Sequence, residues 1–189
     1  MTPILYVFAR APRLGTVKRR LAAGIGTRAA LTWYRAMLAA TLRRLAPDRR
    51  FRTVLALTPG RASGPWRRGL AAVSQGRGDL GARMERLIRR HPRRPVAIVG
   101  ADIPGLRGDD VARAFRLLRG ADACFGPAED GGYWLVALGA RRPARPFAHV
   151  RWSGPHALAD TLARFRGRRV ALLRRLRDVD HAADLEETR

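Results

Sequence analysis

Val96-Ala-Ile-Val-Gly-Ala-Asp102-Ile-Pro104-Gly-Leu106 is an apolar run, rich in β-branched side chains, that ends in a carboxylate and then a proline. A half-exposed strand alternates apolar and polar residues. An unbroken apolar run therefore reads as a strand buried on both faces, as in a parallel sheet packed between helices. Asp102 is expected at the carboxyl edge of such a sheet, where open α/β folds hold their ligands. A carboxylate there suits Mg2+ or Mn2+ carrying a diphosphate, because hard cations prefer oxygen donors. The plainer reading is a cap on the following turn.

Working outward, apolar runs predict further strands over residues 4–9, 53–57, 70–74, 121–125, 133–138 and 170–176. Helical spacing predicts helices over 27–46, from Asp79 to a stop at Pro92, and over 109–118, 155–165 and 182–187, with Thr27 as one cap. Loops fall at 10–17, 59–69 and 141–150, where glycine and proline break regular structure. Strands alternating with helices imply an α/β fold: a three-layer α/β/α sandwich with a mostly parallel, mixed sheet, in one domain over 1–189. The Gly126–Leu138 region is the candidate antiparallel member.

With 189 residues, 47% of them hydrophobic, the chain can bury a substantial core. No apolar run is long enough to span a bilayer, and the apolar start at Ile4 is too short for a secretory leader, so the cytoplasm is the expected compartment. Cys124 is the single cysteine, which excludes an intramolecular disulfide and a cysteine-built zinc site. The net charge of +23 raises nucleic-acid binding as a possibility. The arginines, however, are scattered in pairs such as Arg43-Arg44, Arg89-Arg90 and Arg174-Arg175, with no basic tail or interleaved aromatics, and Lys18 is the one lysine. That pattern reads as compositional bias, so no specific nucleic-acid partner is expected, although anionic substrates are attracted by the field.

Four segments carry candidate chemistry. In Ala9-Arg10-Ala-Pro-Arg-Leu-Gly15-Thr-Val-Lys18-Arg-Arg20, Gly15 lets backbone approach a ligand, and Lys18 and Arg20 can pair with phosphate oxygens; the spacing is neither a Walker loop nor a dinucleotide fingerprint. In Ser74-Gln75-Gly-Arg-Gly78-Asp79-Leu-Gly81-Ala-Arg83, Gln75 offers the donor and acceptor needed to read a base edge, while Asp79 reads equally as a helix cap. Gly126-Pro-Ala-Glu129-Asp130-Gly131-Gly132-Tyr133-Trp134 reads either as a hairpin turn or as a sugar or acceptor platform, with an aromatic face beside a carboxylate base. Asp178-Val-Asp180, after the last strand, offers a second carboxylate to complete the cation site begun by Asp102, or a helix cap.

Taken in order, Phe8-Ala-Arg-x-Pro-x-x-Gly-x-Val-Lys18, Gln75 to Met84, Gly100-Ala-Asp102-x-Pro-x-Leu106, Gly126 to Tyr133 and Asp178-Val-Asp180 to Leu185 resemble a bacterial family of GT-A-like transferases, domain of unknown function 2064. That family is similar to nucleotide-diphospho-sugar transferases. The resemblance implies nucleotide contacts at Gly15, Lys18, Gln75 and Gly81, flanked by Ala9, Arg10 and Arg83. It implies Mg2+ or Mn2+ at Asp102 and Asp180, and acceptor or sugar contacts at Asp130, Gly131 and Gly132. Lys18 and Asp130 become the expected catalytic residues. Arg19, Gly154 and His181 stand where the family pattern leads one to expect threonine. The implied activity is a metal-dependent GT-A glycosyltransferase using a nucleotide sugar and an unidentified acceptor. Alternatives are a nucleotidyltransferase joining a nucleoside triphosphate to a phosphorylated acceptor and, outside enzymes, an arginine-rich nucleic-acid binder.

Overall fold

A computed structural model describes residues 1–60 and 69–186. Seven strands form one mixed sheet in the order β3-β2-β1-β4-β6-β5-β7. They are β1 (Ile4–Arg10), β2 (Arg52–Thr58), β3 (Ala72–Ser74), β4 (Val96–Gly100), β5 (Ala123–Pro127), β6 (Tyr133–Leu138) and β7 (Val170–Leu172). The antiparallel member is β6, which pairs with β4 and β5; the other recorded pairings are parallel. Among the described residues six helices accompany them: α1 (Arg19–Ile25), α2 (Thr27–Leu45), α3 (Leu80–Arg89), α4 (Gly108–Leu117), α5 (Ala157–Ala163) and α6 (Ala183–Glu186).

The apolar strands are buried on both faces because alternate residues feed two separate cores. Leu5, Val7, Ala97 and Val99 face α2 and α4 and pack with Leu38, Leu42, Leu45, Val111 and Ala114. Ile4, Tyr6, Val96 and Ile98 face α3 and α5 and pack with Met84, Leu87, Ile88 and Ala157. Each fully buried leucine contributes about 1.5–3 kcal/mol of transfer free energy, so the two layers hold the sheet from both sides. The result is the three-layer α/β/α arrangement.

Three elements differ from the sequence expectation. The apolar run predicts one strand over 170–176, but β7 stops at Leu172; a single parallel bridge joins Ala128 to Leu176 further on. Thr27 opens α2 rather than capping it: Gly26 is the cap, with no side-chain hydrogen bond. The helix α1 has no counterpart among the predicted elements, since seven residues that include Gly24 make a marginal helix on their own. Tertiary contacts stabilise it: Leu21 packs against Ala30 of α2 and Val179 of the carboxyl-terminal segment. A Cβ at Gly24 would lie 2.7 Å from the Ala182 Cβ, so the glycine is what lets that segment lie against α1. The 59–69 loop lies mostly outside the described residues. Among the described residues no helix is long and apolar enough to cross a membrane.

Sheet order reverses direction of growth at β1 and β4, which are adjacent and parallel, with Phe8 level with Gly100. In open α/β sheets the crevice at such a switch point, beyond the carboxyl ends of the strands, is the ligand site.

Candidate active site

A cleft of about 710 Å³ opens at that edge. Its walls come from the ends of β1, β2 and β4, the segment after β3, the start of α3, and the carboxyl-terminal segment. Of the residues singled out in the sequence, Ala9, Arg10, Lys18, Arg20, Gln75, Arg83, Asp102 and Asp180 line it. Gly15, Gly81, Asp130, Gly131 and Gly132 do not.

At its centre the Lys18 ammonium lies 2.6 Å from Asp102 Oδ2 and 2.7 Å from Asp180 Oδ1. Residues 162 positions apart thus share one point. The Lys18 side chain is 8% exposed, against 29% and 35% for the two carboxylates, so the ion pairs close over the lysine while leaving acid edges open to the cleft. Several local features fix this geometry. The Tyr34 hydroxyl accepts from the Arg10 amide at 2.9 Å and donates to the Arg10 carbonyl at 3.0 Å, anchoring the end of β1 against α2. Gly15 turns the loop at φ +73°, and Lys18 itself sits at φ 46°, its carbonyl accepting from the Ala22 amide to start α1. Left-handed backbone costs a non-glycine residue about 1–2 kcal/mol, and here packing of α1 upholds it. At the other end, Asp184 Oδ2 accepts from the Asp180 and His181 amides at 2.9 and 2.7 Å, which fixes the turn presenting Asp180.

Burial by itself would lower the Lys18 pKa; the attraction and hydrogen bonds of Asp102 and Asp180 outweigh it and raise the value above that of free lysine. Asp178 goes the opposite way for a carboxyl. Burial, then the fields of Asp130, Asp180 and Asp102, push it up to about 6. Lys18 thus bridges Asp102 and Asp180, while Asp178 beside them feels their charge.

Gln75 is 3% exposed, and its amide nitrogen donates to the carbonyls of Ala9 at 3.2 Å and Ala56 at 2.9 Å. Both amide hydrogens are spent on tying β1 and β2 together, so the part of Gln75 that a base edge could still use is its side-chain oxygen. Gly81 has a packing reason of its own: a Cβ would meet Trp152 Cζ2 at 2.9 Å and Phe147 Cβ at 3.0 Å. Asp79 caps α3 by accepting from the Ala82 amide at 2.8 Å. Arg83 Nε donates to the Gly78 carbonyl at 2.7 Å, leaving the rest of the guanidinium at the cleft wall.

The 126–134 segment is the hairpin between β5 and β6. Asp130 accepts from the Gly132 amide at 2.8 Å, and a Cβ on Gly131, at φ +83°, would lie 2.3 Å from the Pro155 carbonyl oxygen. The expected aromatic platform is not there: Trp134 is buried, its Nε1 donating to the Arg174 carbonyl, and Tyr133 packs edge-on against Phe125 and Trp152. The tryptophan at the cleft is Trp152, unmarked in the sequence because it follows a proline-rich loop with no periodic pattern. Leu80, 42% exposed, lines the same cleft. Cys124 is buried in the core and its thiol pKa is pushed up to about 12 by burial, which suits a packing role.

Comparison with known proteins follows the same outline. The family described as "uncharacterized protein conserved in bacteria (DUF2064)" matches residues 41–154. A solved protein from Desulfovibrio desulfuricans G20, classed as a nucleotide-diphospho-sugar transferase, is 27% identical with a TM-score of 0.88, covering 96% of this chain and 84% of its own. Glucosyl-3-phosphoglycerate synthase from Mycobacterium tuberculosis, solved with Mn2+, uridine diphosphate and glucosyl-3-phosphoglycerate, is 11% identical at TM-score 0.63, covering 98% of this chain and 75% of its own. The 2-C-methyl-D-erythritol 4-phosphate cytidylyltransferase of Thermus thermophilus is 18% identical at TM-score 0.55, covering 99% and 96%. The last two likenesses establish the fold alone. No curated protein matches the chain.

Proposed function

The chain belongs to the DUF2064 family, and we propose that it is a cytoplasmic, single-domain, metal-dependent transferase acting on a nucleotide-activated substrate, in the first instance a GT-A-type glycosyltransferase using a nucleotide sugar. The observation that carries this reading is that Asp102 and Asp180 converge in the cleft on one point, the Lys18 ammonium, which lies within 2.7 Å of both. Two carboxylate oxygens that already hold one cation fit a second kind. Among the described residues no three His, Cys, Asp or Glu side chains are grouped as a cage. Magnesium in phosphate chemistry characteristically uses one or two carboxylates and completes its shell with phosphate and water. Asp102 and Asp180 would hold Mg2+ or Mn2+, which supplies neutralisation of diphosphate charge.

The remaining roles belong to the chain's own groups. Lys18, Arg20 and Arg10 line the cleft and would present positive charge to the phosphates, stabilising negative charge as the leaving diphosphate departs. The backbone of Ala9 and Arg10 at the end of β1 forms the floor. Leu80 and Trp152 give the cleft apolar walls for a base or sugar, and Arg83 offers donors beside them. Asp130 stands outside the cleft lining but its charge is felt at Asp178; its part is to orient an acceptor entering over the β5–β6 hairpin, with Gly131 and Gly132 shaping that turn.

Nucleotidyl transfer is the rival. It is favoured by a cytidylyltransferase that aligns with this fold along nearly the whole of both chains. Incubation with a panel of sugar nucleotides and, separately, nucleoside triphosphates with phosphorylated acceptors, each with Mn2+, separates the two. Nucleoside diphosphate release from a sugar nucleotide supports glycosyl transfer, and pyrophosphate release from a triphosphate supports the rival. Turnover that persists undiminished in Asp102→Ala contradicts both. Nucleic-acid binding is not favoured: Arg44, Arg50, Arg86 and Arg174 are spent on carbonyls and carboxylates of the fold itself.

A further inference from the structure

Resting on the reading just given, we propose that Lys18 is a tethered counter-ion that competes with the divalent cation for Asp102 and Asp180, so that cation and nucleotide diphosphate bind with positive coupling. The ammonium lies 2.6 and 2.7 Å from the two carboxylate oxygens. A divalent ion bound at about 2.0–2.1 Å to oxygen cannot share that space with it. One of the two must leave.

Lysine is the side chain suited to leaving. Its charge is a compact point on a flexible four-carbon stem and carries three rotatable donors, so it transfers from carboxylate to phosphate without the fixed two-pronged match that holds arginine. The backbone at Lys18 is fixed by the α1 cap and the buried Leu21, which leaves the stem as the moving part. Lys18 is also the one lysine in a chain with 38 lysine and arginine residues, and it stands between the two carboxylates. Arg20 cannot do the same work: its ion pair is with Asp180, at 3.3 Å, and its side chain is 63% exposed.

Without phosphates, the ammonium keeps the carboxylates compensated and the divalent ion weakly bound. A nucleotide diphosphate draws the ammonium onto its own oxygens and frees the acids. By linkage the metal tightens the nucleotide by the same factor that the nucleotide tightens the metal.

The test is titration of the full chain with Mn2+ alone and with saturating uridine or cytidine diphosphate, with free Mn2+ followed by electron paramagnetic resonance. Wild type is expected to bind Mn2+ weakly alone and about 5- to 150-fold more tightly with nucleotide. Lys18→Met should show the tighter affinity without nucleotide and lose most of the coupling. Lys18→Gln repeats the measurement should the methionine variant fail to fold. Arg20→Gln should change Mn2+ affinity only about twofold, as an exposed ion pair does. Unchanged Mn2+ affinity in Lys18→Met while Asp102→Asn abolishes binding overturns the competition and leaves the cation site standing. An equal rise in Arg20→Gln and Lys18→Met overturns it too, since the effect is then the general field. Absence of Mn2+ binding in every form, nucleotide present or not, overturns both the competition and the functional reading.

Discussion

Asp110 and Asp178 are both partly buried carboxylates, yet their surroundings treat them in opposite ways. Asp110, in the first turn of α4, accepts both arms of the Arg174 guanidinium at 2.8 and 2.7 Å and the Arg107 amide at 2.9 Å. Burial alone would raise its pKa, but these partners outweigh burial and hold it below the ordinary carboxylate range. Nearby, Arg50 spans Asp48 and Asp109, and Arg44 donates to the carbonyls of Pro104 and Leu106. Every acid there has its base, and the ensemble clamps the loop that carries Asp102. Asp178 is instead pushed up to about 6 by burial and then by the fields of Asp130, Asp180 and Asp102. Like charge gathered around one half-buried carboxyl is costly in a resting fold. It makes sense where cationic groups arrive from outside.

Four substitutions break or sharpen this contrast. The largest effect is expected from Asp102→Asn, which removes charge from the cleft without altering shape: transfer activity should fall about 100- to 1,000-fold in a steady-state assay, and the thermal midpoint should fall because the buried Lys18 ammonium loses one of its two carboxylate partners. Next, Asp110→Asn loses charge-assisted bonds and should cost about 1–3 kcal/mol at pH 7 by urea unfolding, with the cleft chemistry intact. Because the folded-state pKa of Asp110 is depressed, its contribution is present above the unfolded value near 4 and is lost as pH falls through the lower folded value. The gap between wild type and variant should therefore close below pH 4.

Asp178→Asn should do the reverse. A raised folded-state pKa means that stability is fully present below about pH 4 and is lost as pH rises through about 6. Measured in chelator, the variant should gain about 1 kcal/mol at pH 8, after allowance for the solvent screening of a half-buried group, and nothing near pH 4. A loss at pH 8 would show that the cluster is compensated after all. The smallest effect belongs to Arg20→Gln, whose exposed bond to Asp180 is worth less than about 0.5 kcal/mol in the same unfolding assay.

The layered sheet and the position of Asp102 were legible because apolar run length and strand–helix alternation are local signals. Convergence of Lys18 with Asp180 followed from chain order in a parallel sheet, which sends the loops after successive parallel strands to one edge. What escaped was decided by tertiary contact. The helix α1 exists because Leu21, Ala30 and Val179 bury one another, and no window of seven residues contains that information. Gln75 looks like a recognition residue in sequence, whereas its amide is consumed by two carbonyls of neighbouring strands. Trp134 and Trp152 are both flanked by ordinary residues; only the pleat of β6 sends the first into the core, and only the missing Cβ of Gly81 lets the second lie on α3 beside the cleft.

The most direct test is a crystal structure of the full chain grown with Mn2+ and a nucleoside diphosphate, read by manganese anomalous scattering. The expected map has one peak between Asp102 and Asp180, with the Lys18 ammonium moved onto a phosphate oxygen. A nucleotide bound away from the β1–β4 crevice, or manganese seated elsewhere with Lys18 still bridging the two carboxylates, would contradict the assignment of this corner as the diphosphate site.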